Sequence, residues 1–133
     1  MERITPDNIT HLNDKEIFVF GSNLGGRHGK GAAKTALTWG ARYGQGNGLW
    51  GKTYAIPTKS YDVRKTLSIE KIKVYVDEFI EQAKYHIGNI FLVTEIGCGL
   101  AGYKPKEIAP LFKNAIEIEN IYLPKNFWRC LKN

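Results

Sequence analysis

Residues 17–37 read IFVFGSNLGGRHGKGAAKTAL, and their order decides the fold class. Ile17-Phe18-Val19-Phe20 is a short apolar run ending at Gly21, the pattern of a central strand buried on both faces. Ala32, Ala33, Ala36 and Leu37 then recur at helical spacing, which predicts a helix starting near His28 or Gly29 and failing between Gly40 and Gly44. Strand, glycine-rich loop and helix in direct succession open an α/β domain.

Downstream the alternation continues. Thr53-Tyr54-Ala55-Ile56 reads as a strand closed by Pro57, which has no N–H for a ladder. Ser68 caps a predicted helix in which Ile69, Ile72, Val76, Phe79, Ile80 and Ala83 form one stripe, with Glu70, Lys73, Asp77 and Glu81 opposite. Ile90 to Ile96 is the longest β-prone run, and it empties into Gly97-Cys98-Gly99-Leu100-Ala101-Gly102. Pro105 suits the first turn of a helix carrying Ile108, Leu111, Phe112, Ala115 and Ile116, and Ile121-Tyr122-Leu123 forms a last strand stopped at Pro124. This order predicts a largely parallel sheet with helices on both faces and ligands at the carboxyl ends of the strands.

At 133 residues, 43% hydrophobic and 24% charged, the chain is the size of one domain (residues 1–133) that buries about two thirds of its unfolded surface. No apolar run approaches the roughly 18 residues of a membrane span, and the opening MERITPDNIT lacks the apolar block of a signal peptide. The expectation is a soluble, cytoplasmic protein without a membrane partner. Cys98 and Cys130 lie far apart, so neither a disulfide framework nor a zinc site is expected, and both are expected to be reduced. No metal and no cofactor is expected.

The formal net charge of +6 is unevenly placed. Residues 21–65 hold eight basic side chains (Arg27, Lys30, Lys34, Arg42, Lys52, Lys59, Arg64, Lys65) against Asp62 alone, together with ten of the fourteen glycines. Such a cluster by itself reads as a solvated basic face. Its overlap with Gly21, Gly25, Gly26, Gly29 and Gly31 points instead to an anion site, because glycine lets the backbone approach a ligand closely.

Two literal motifs compete for that anion. Gly46-Asn47-Gly48-Leu49-Trp50-Gly51-Lys52-Thr53 matches the triphosphate pattern, yet a strand should precede it and a helix follow it; here a helix end precedes and a strand follows. Gly97-x-Gly99-x-x-Gly102 matches the dinucleotide fingerprint in better context, but its helix waits until about Pro105, and the strand that should end in a ribose-binding acid ends in Leu123-Pro124-Lys125. What remains is physical: successive N–H groups in a small-residue turn form a nest for phosphate. The loop from Gly21-Ser22-Asn23-Leu24-Gly25-Gly26 and the loop from Gly97 to Tyr103 together hold a diphosphate on this reading. At about 1.5 to 3 kcal/mol per charge-assisted bond, three or four amides supply the roughly 8 kcal/mol of micromolar binding. Exposed lysines contribute at most about 1 kcal/mol each. The backbone holds the ligand and the basic residues attract it.

FVFGSNLGGRHGKGAA, YAIPTK and IGCGLAGY, in this order, resemble the macrodomain superfamily over about residues 17–124. That resemblance implies a macrodomain-like, three-layer α/β/α domain that binds ADP-ribose or a related nucleotide, with ADP-ribosylated macromolecules as partners. By the resemblance, Asn23 stands beside the distal ribose, Gly25 to Gly31 (with Arg27, His28, Gly29 and Lys30) form the first phosphate loop, and Gly97, Cys98, Gly99, Leu100, Ala101 and Gly102 form the second. Tyr103 resembles the aromatic residue flanking the distal ribose. Thr58-Lys59 and Ile96 to Leu100 look most like the terminal ADP-ribose protein glycohydrolase branch, in which a lysine and an aspartate carry the chemistry.

Lys59 stands where that branch has its lysine, but Ala101 stands where it has the aspartate, and Lys30 stands where a larger hydrolytic branch has an acid. Cleavage of a glycosidic linkage needs a group to activate water, and Lys59 must lose its proton to serve. Glu95 is a candidate substitute or a loop anchor; His28 is a candidate base, a helix cap or a phosphate contact; Lys59 is a nucleophile, a base or a phosphate contact. Cys98 reads as a small loop residue rather than a nucleophile. The alternative function is a small, non-catalytic nucleic-acid-binding protein, using the basic third with Trp39, Tyr43, Trp50, Tyr54 and Tyr61 as stacking surfaces or, equally, as core.

Overall fold

The computed structural model describes residues 2–132. Its centre is β1 (Glu16–Asn23), whose neighbours are β3 (Thr53–Lys59) on one side and β4 (Ile90–Val93) on the other, both parallel to it. β5 (Ile121–Tyr122) extends the sheet in parallel beyond β4, and β2 (Gly48–Trp50) closes the opposite edge antiparallel to β3, giving the order β2-β3-β1-β4-β5. The protein is thus a single α/β domain with a mixed, mostly parallel sheet.

β1 is apolar on both faces because both are covered. Ile17 and Val19 join Tyr54, Ile56, Phe91 and Val93 in the larger core, with α2 (Ile69–Tyr85), the segment after α3 (Pro105–Ile108), and α4 (Lys125–Lys132). Phe18 and Phe20 turn to a smaller core with Ala55 and with Ala33 and Ala36 of α1 (Gly31–Ala36).

Helix α2 follows its sequence pattern closely. Ser68 Oγ accepts from the Lys71 amide at 3.2 Å, and Ile72, Val76, Phe79, Ile80 and Ala83 are buried. Phe79 is the hub of that face, with ring centres 5.0 Å from Tyr54, 5.6 Å from Phe91 and 6.4 Å from Phe112. Truncating such a ring to alanine costs about 3–5 kcal/mol. The pairs Lys73–Asp77 and Glu81–Lys84 on the outer face are exposed and contribute little.

Elsewhere local structure departs from the sequence expectation. Pro57 does not stop β3, which continues to Lys59, because its partner β2 ends opposite Ala55 and requires no N–H from Pro57. The strand expected over residues 90–96 ends at Val93: Thr94 bonds Val19 O through both its amide (3.1 Å) and its Oγ1 (2.8 Å), and the Ile96 amide then turns back to Thr94 O. Helix α1 starts only at Gly31, since residues 24–30 are held as an open loop, and a 3₁₀ turn over Leu37–Trp39 ends at Gly40, whose φ is +110°. The helix after Pro105 narrows to 3₁₀ form over Ala109–Ala115, where Pro110 lacks the N–H of an α-helical bond, yet Ile108, Leu111, Phe112 and Ala115 remain buried. The triphosphate-like segment is a hairpin joining β2 to β3 by Gly51-Lys52, with Gly51 at φ +58°, the glycine-first arrangement of a two-residue turn. β2 and α4 have no counterpart in the sequence reading.

Among the described residues no helix is long and apolar enough to cross a membrane.

Candidate functional site

From β1 the chain passes through α1 to β2 and β3 on one side of the sheet; from β4 it passes to β5 on the other. The adjacent carboxyl ends of β1 and β4 therefore flank a topological switch point, where an open parallel sheet leaves a crevice. A cavity of about 540 Å³ lies there. Gly21, Ser22 and Asn23 at the end of β1 line it together with Gly29, Lys30 and Gly31; Glu95, Gly97, Gly99, Leu100 and Ala101 after β4 line it too. The two glycine loops, some seventy residues apart in the chain, share one hollow.

Parallel register brings the third strand to the same place. Asn23 pairs with Lys59 across a bulge, and the Leu24 amide donates to Lys59 O at 3.0 Å, so Lys59 stands beside the first loop and lines the cavity. Arg27, Lys30 and Lys59 are its cations, and Glu95 is the one carboxylate among its described residues. The amides of Gly29, Lys30 and Gly31 and of Gly97, Gly99, Leu100 and Ala101 have no protein acceptor among the described residues. The lining residues thus bring seven amides without a protein acceptor and three cations, against one carboxylate, to one hollow, a composition suited to an anion.

The other candidate residues hold the loops. Asn23 is buried and spends its amide on the loop itself, accepting from Arg27 N at 2.8 Å and donating to Arg27 O at 3.0 Å. Gly25 and Gly26 face away from the cavity lining: a β-carbon at Gly25 would stand 2.3 Å from Tyr61 O, and one at Gly26 2.2 Å from Gln45 N. Leu24 is half-buried outside the lining. His28, 1% exposed, stands edge-on to Phe20 and lies with Nε2 3.0 Å from Arg42 O and 3.1 Å from Gln45 O. It staples the first loop to the 42–45 connection, and its Nδ1 has no partner.

In the second loop, Gly97 has φ +73° and presses on Ile108, which a β-carbon there would approach to 2.9 Å. Gly102 also lies outside the lining and bonds back to Gly99 O at 3.0 Å. Tyr103 donates its hydroxyl to Leu67 O at 2.6 Å and anchors the loop's far end. Cys98 is half-buried behind the loop; burial, then the charges of Glu95 and Glu107, push its thiol up to about 12. So little thiolate leaves it a poor nucleophile at neutral pH.

Several lining residues lie outside the two glycine loops. Thr58 is buried, with Oγ1 donating to Ser22 O at 3.2 Å. Val63 enters from the turn after β3 at φ +62°, a left-handed conformation that a β-branched residue adopts only under strain. That turn is tied down by Asp62 Oδ1, which accepts from Ser60 Oγ and Arg64 N, and by Thr66 Oγ1, which donates to Ala101 O at 2.8 Å across to the second loop. The Arg64 amide and the Ser60 hydroxyl hold the Asp62 carboxyl below its ordinary range. Thr94, Ala32 and Ala33 complete the wall. Asn126 of α4 lies outside the cavity but donates from Nδ2 to Glu95 Oε2 at 2.8 Å.

A second hollow, about 620 Å³, lies between β2 and α2 and carries Asp77, Glu78 and Glu81, a charge that repels anions. Of the five aromatics considered as stacking surfaces, Tyr54 is core, Trp39 packs edge-on to Phe18 at 5.0 Å, and Trp50 is half-buried with Nε1 donating to Asn47 O; Tyr43 and Tyr61 are exposed. Among the described residues, no group of three or more His, Cys, Asp or Glu is placed to hold a metal ion.

No protein-family model and no curated protein matches the chain. Among solved structures it is similar to a protein of unknown function from Bacteroides thetaiotaomicron, with 16% identity and a TM-score of 0.59 over 91% of this chain and 93% of that one. That likeness supports the fold.

Proposed function

We propose that the protein binds ADP-ribose or a related nucleoside diphosphate in the cavity between its two glycine loops, as a three-layer, macrodomain-like domain. The observation that carries this reading is that seven residues with unpartnered amides and three cations line one hollow at the switch point of the sheet. Fixed amides are organised before the ligand arrives, and the anion gains charge-assisted bonds without reorganising the protein. Arg27, Lys30 and Lys59 raise the local anion concentration.

The reading extends to hydrolysis of ADP-ribosyl linkages, with Lys59 as the group at the reacting end of the ligand. Lys59 and Glu95 line the same cavity, whereas His28 is closed off beneath the 42–45 connection and Cys98 holds its proton. Calorimetry with ADP-ribose, AMP and NAD tests the binding, and the absence of saturable heat at millimolar concentration eliminates it. Incubation with mono-ADP-ribosylated protein, following free ADP-ribose, tests the hydrolysis.

Nucleic-acid binding is the second reading, favoured by the basic residues 21–65 and by exposed Tyr43 and Tyr61. An affinity that falls steeply with salt and ignores ADP-ribose would select it.

A further inference from the structure

We infer that Glu95 makes the cavity selective for a diphosphate that continues into a sugar over one that ends in phosphate, and that Asn126 positions Glu95 for this. The inference rests on the nucleotide reading above. Glu95 lines the cavity opposite in sign to Arg27, Lys30 and Lys59. Its Oε2 accepts from Asn126 Nδ2 at 2.8 Å, and Oε1 has no protein donor among the described residues. Asn126 in turn accepts at Oδ1 from Arg129 Nη1 at 3.4 Å. The side-chain amide is therefore oriented at both ends: reversing it would set its oxygen against the carboxylate and its N–H groups against the guanidinium.

An ionised carboxylate accepts and never donates. A terminal phosphate beside Glu95 meets a like charge with no proton to share. A sugar hydroxyl at the same place offers the free Oε1 a donor, and a hydrogen bond to a charged acceptor is roughly twice as strong as a neutral one. Arg27, Lys30 and the loop amides are suited to the bridging phosphates, and Glu95 favours a donor as the group beyond them. Glu95 is exposed just beyond the end of β4, and the hydrogen bond from Asn126 of α4 biases the orientation of its carboxylate.

The test is calorimetry of the full chain with ADP-ribose and with ADP, for the unsubstituted protein, Glu95→Gln and Asn126→Leu. ADP-ribose is expected to bind about fivefold more tightly than ADP, the scale open to an exposed charge such as Glu95. Glu95→Gln is expected to bring the two within about twofold, weakening ADP-ribose and strengthening ADP, and Asn126→Leu is expected to give an intermediate ratio. If both nucleotides bind the unsubstituted protein equally, or if Glu95→Gln leaves their ratio unchanged, the selectivity role is wrong and nucleotide binding stands. Equal weakening of both ligands by Asn126→Leu makes Asn126 merely structural and overturns its positioning role. Failure of both nucleotides to bind removes the nucleotide reading and this inference with it.

Discussion

A β-carbon on Gly46 would stand 1.8 Å from the carbonyl oxygen of Asn23, so the connection after α1 is pressed against the end of β1 with no room for a side chain. Ser22 Oγ donates to Gly46 O at the same junction, and His28 Nε2 lies against the carbonyls of Arg42 and Gln45 just before it. The first glycine loop is thus shaped from behind by residues 42–46.

Gly46→Ala is therefore expected to destabilise the fold by about 1–3 kcal/mol, the cost of overpacking a filled site. Gly29→Ala is the contrast, since a β-carbon there meets nothing within 4 Å and its φ is not positive. Denaturant unfolding should separate the two, with Gly29→Ala close to the unsubstituted protein. Equal losses would show that glycine at position 46 answers no packing demand.

Val63 is a β-branched residue at φ +62°. Asparagine tolerates this conformation, and Val63→Asn is expected to raise stability by about 1 kcal/mol through relief of backbone strain. The same change replaces an apolar part of the cavity wall and is expected to weaken ADP-ribose binding. A melting temperature that stays level or falls would show that the turn stores no strain at this position.

Cys98 should resist alkylation at pH 8, because burial and the neighbouring carboxylates raise its pKa from 9 to about 12. Its labelling by iodoacetamide, followed by peptide mass spectrometry, is expected to accelerate only as pH rises toward that value. The thiol is protonated more tightly in the folded chain than in the unfolded one. Its contribution is accordingly complete below pH 9 and lost as pH rises through about 12. Rapid labelling at pH 7 would mean that a thiolate forms in the folded protein.

Lys59→Ala is expected to abolish release of ADP-ribose from a modified substrate. Binding should weaken no more than about fivefold, because a partly exposed cation contributes at most about 1 kcal/mol. Parallel loss of binding and turnover would make Lys59 a ligand contact instead of a reacting group.

Much of the scaffold was legible in local pattern. The stripe from Ile72 to Ala83, the Ser68 cap and the apolar runs of β1 and β4 identify elements whose periodicity reports burial directly. β2 and α4 were not legible: β2 is three residues and edge-exposed at Leu49, and α4 directly follows Pro124, which reads as a stop. Pro57 also misled, because what a proline does depends on whether a neighbour needs its N–H.

By itself the sequence determined that glycine loops follow two apolar strands and that positive charge gathers around the first of them, since both properties are written in consecutive residues. Tertiary structure alone decided that these loops meet, that Gly25, Gly26 and His28 brace the first loop, and that Val63 and Asn126 reach the site or its carboxylate. The physical reason is that periodicity records which face of an element is buried but not against what. Partnership between distant residues follows from strand order and register, which are set by the packing of the whole core.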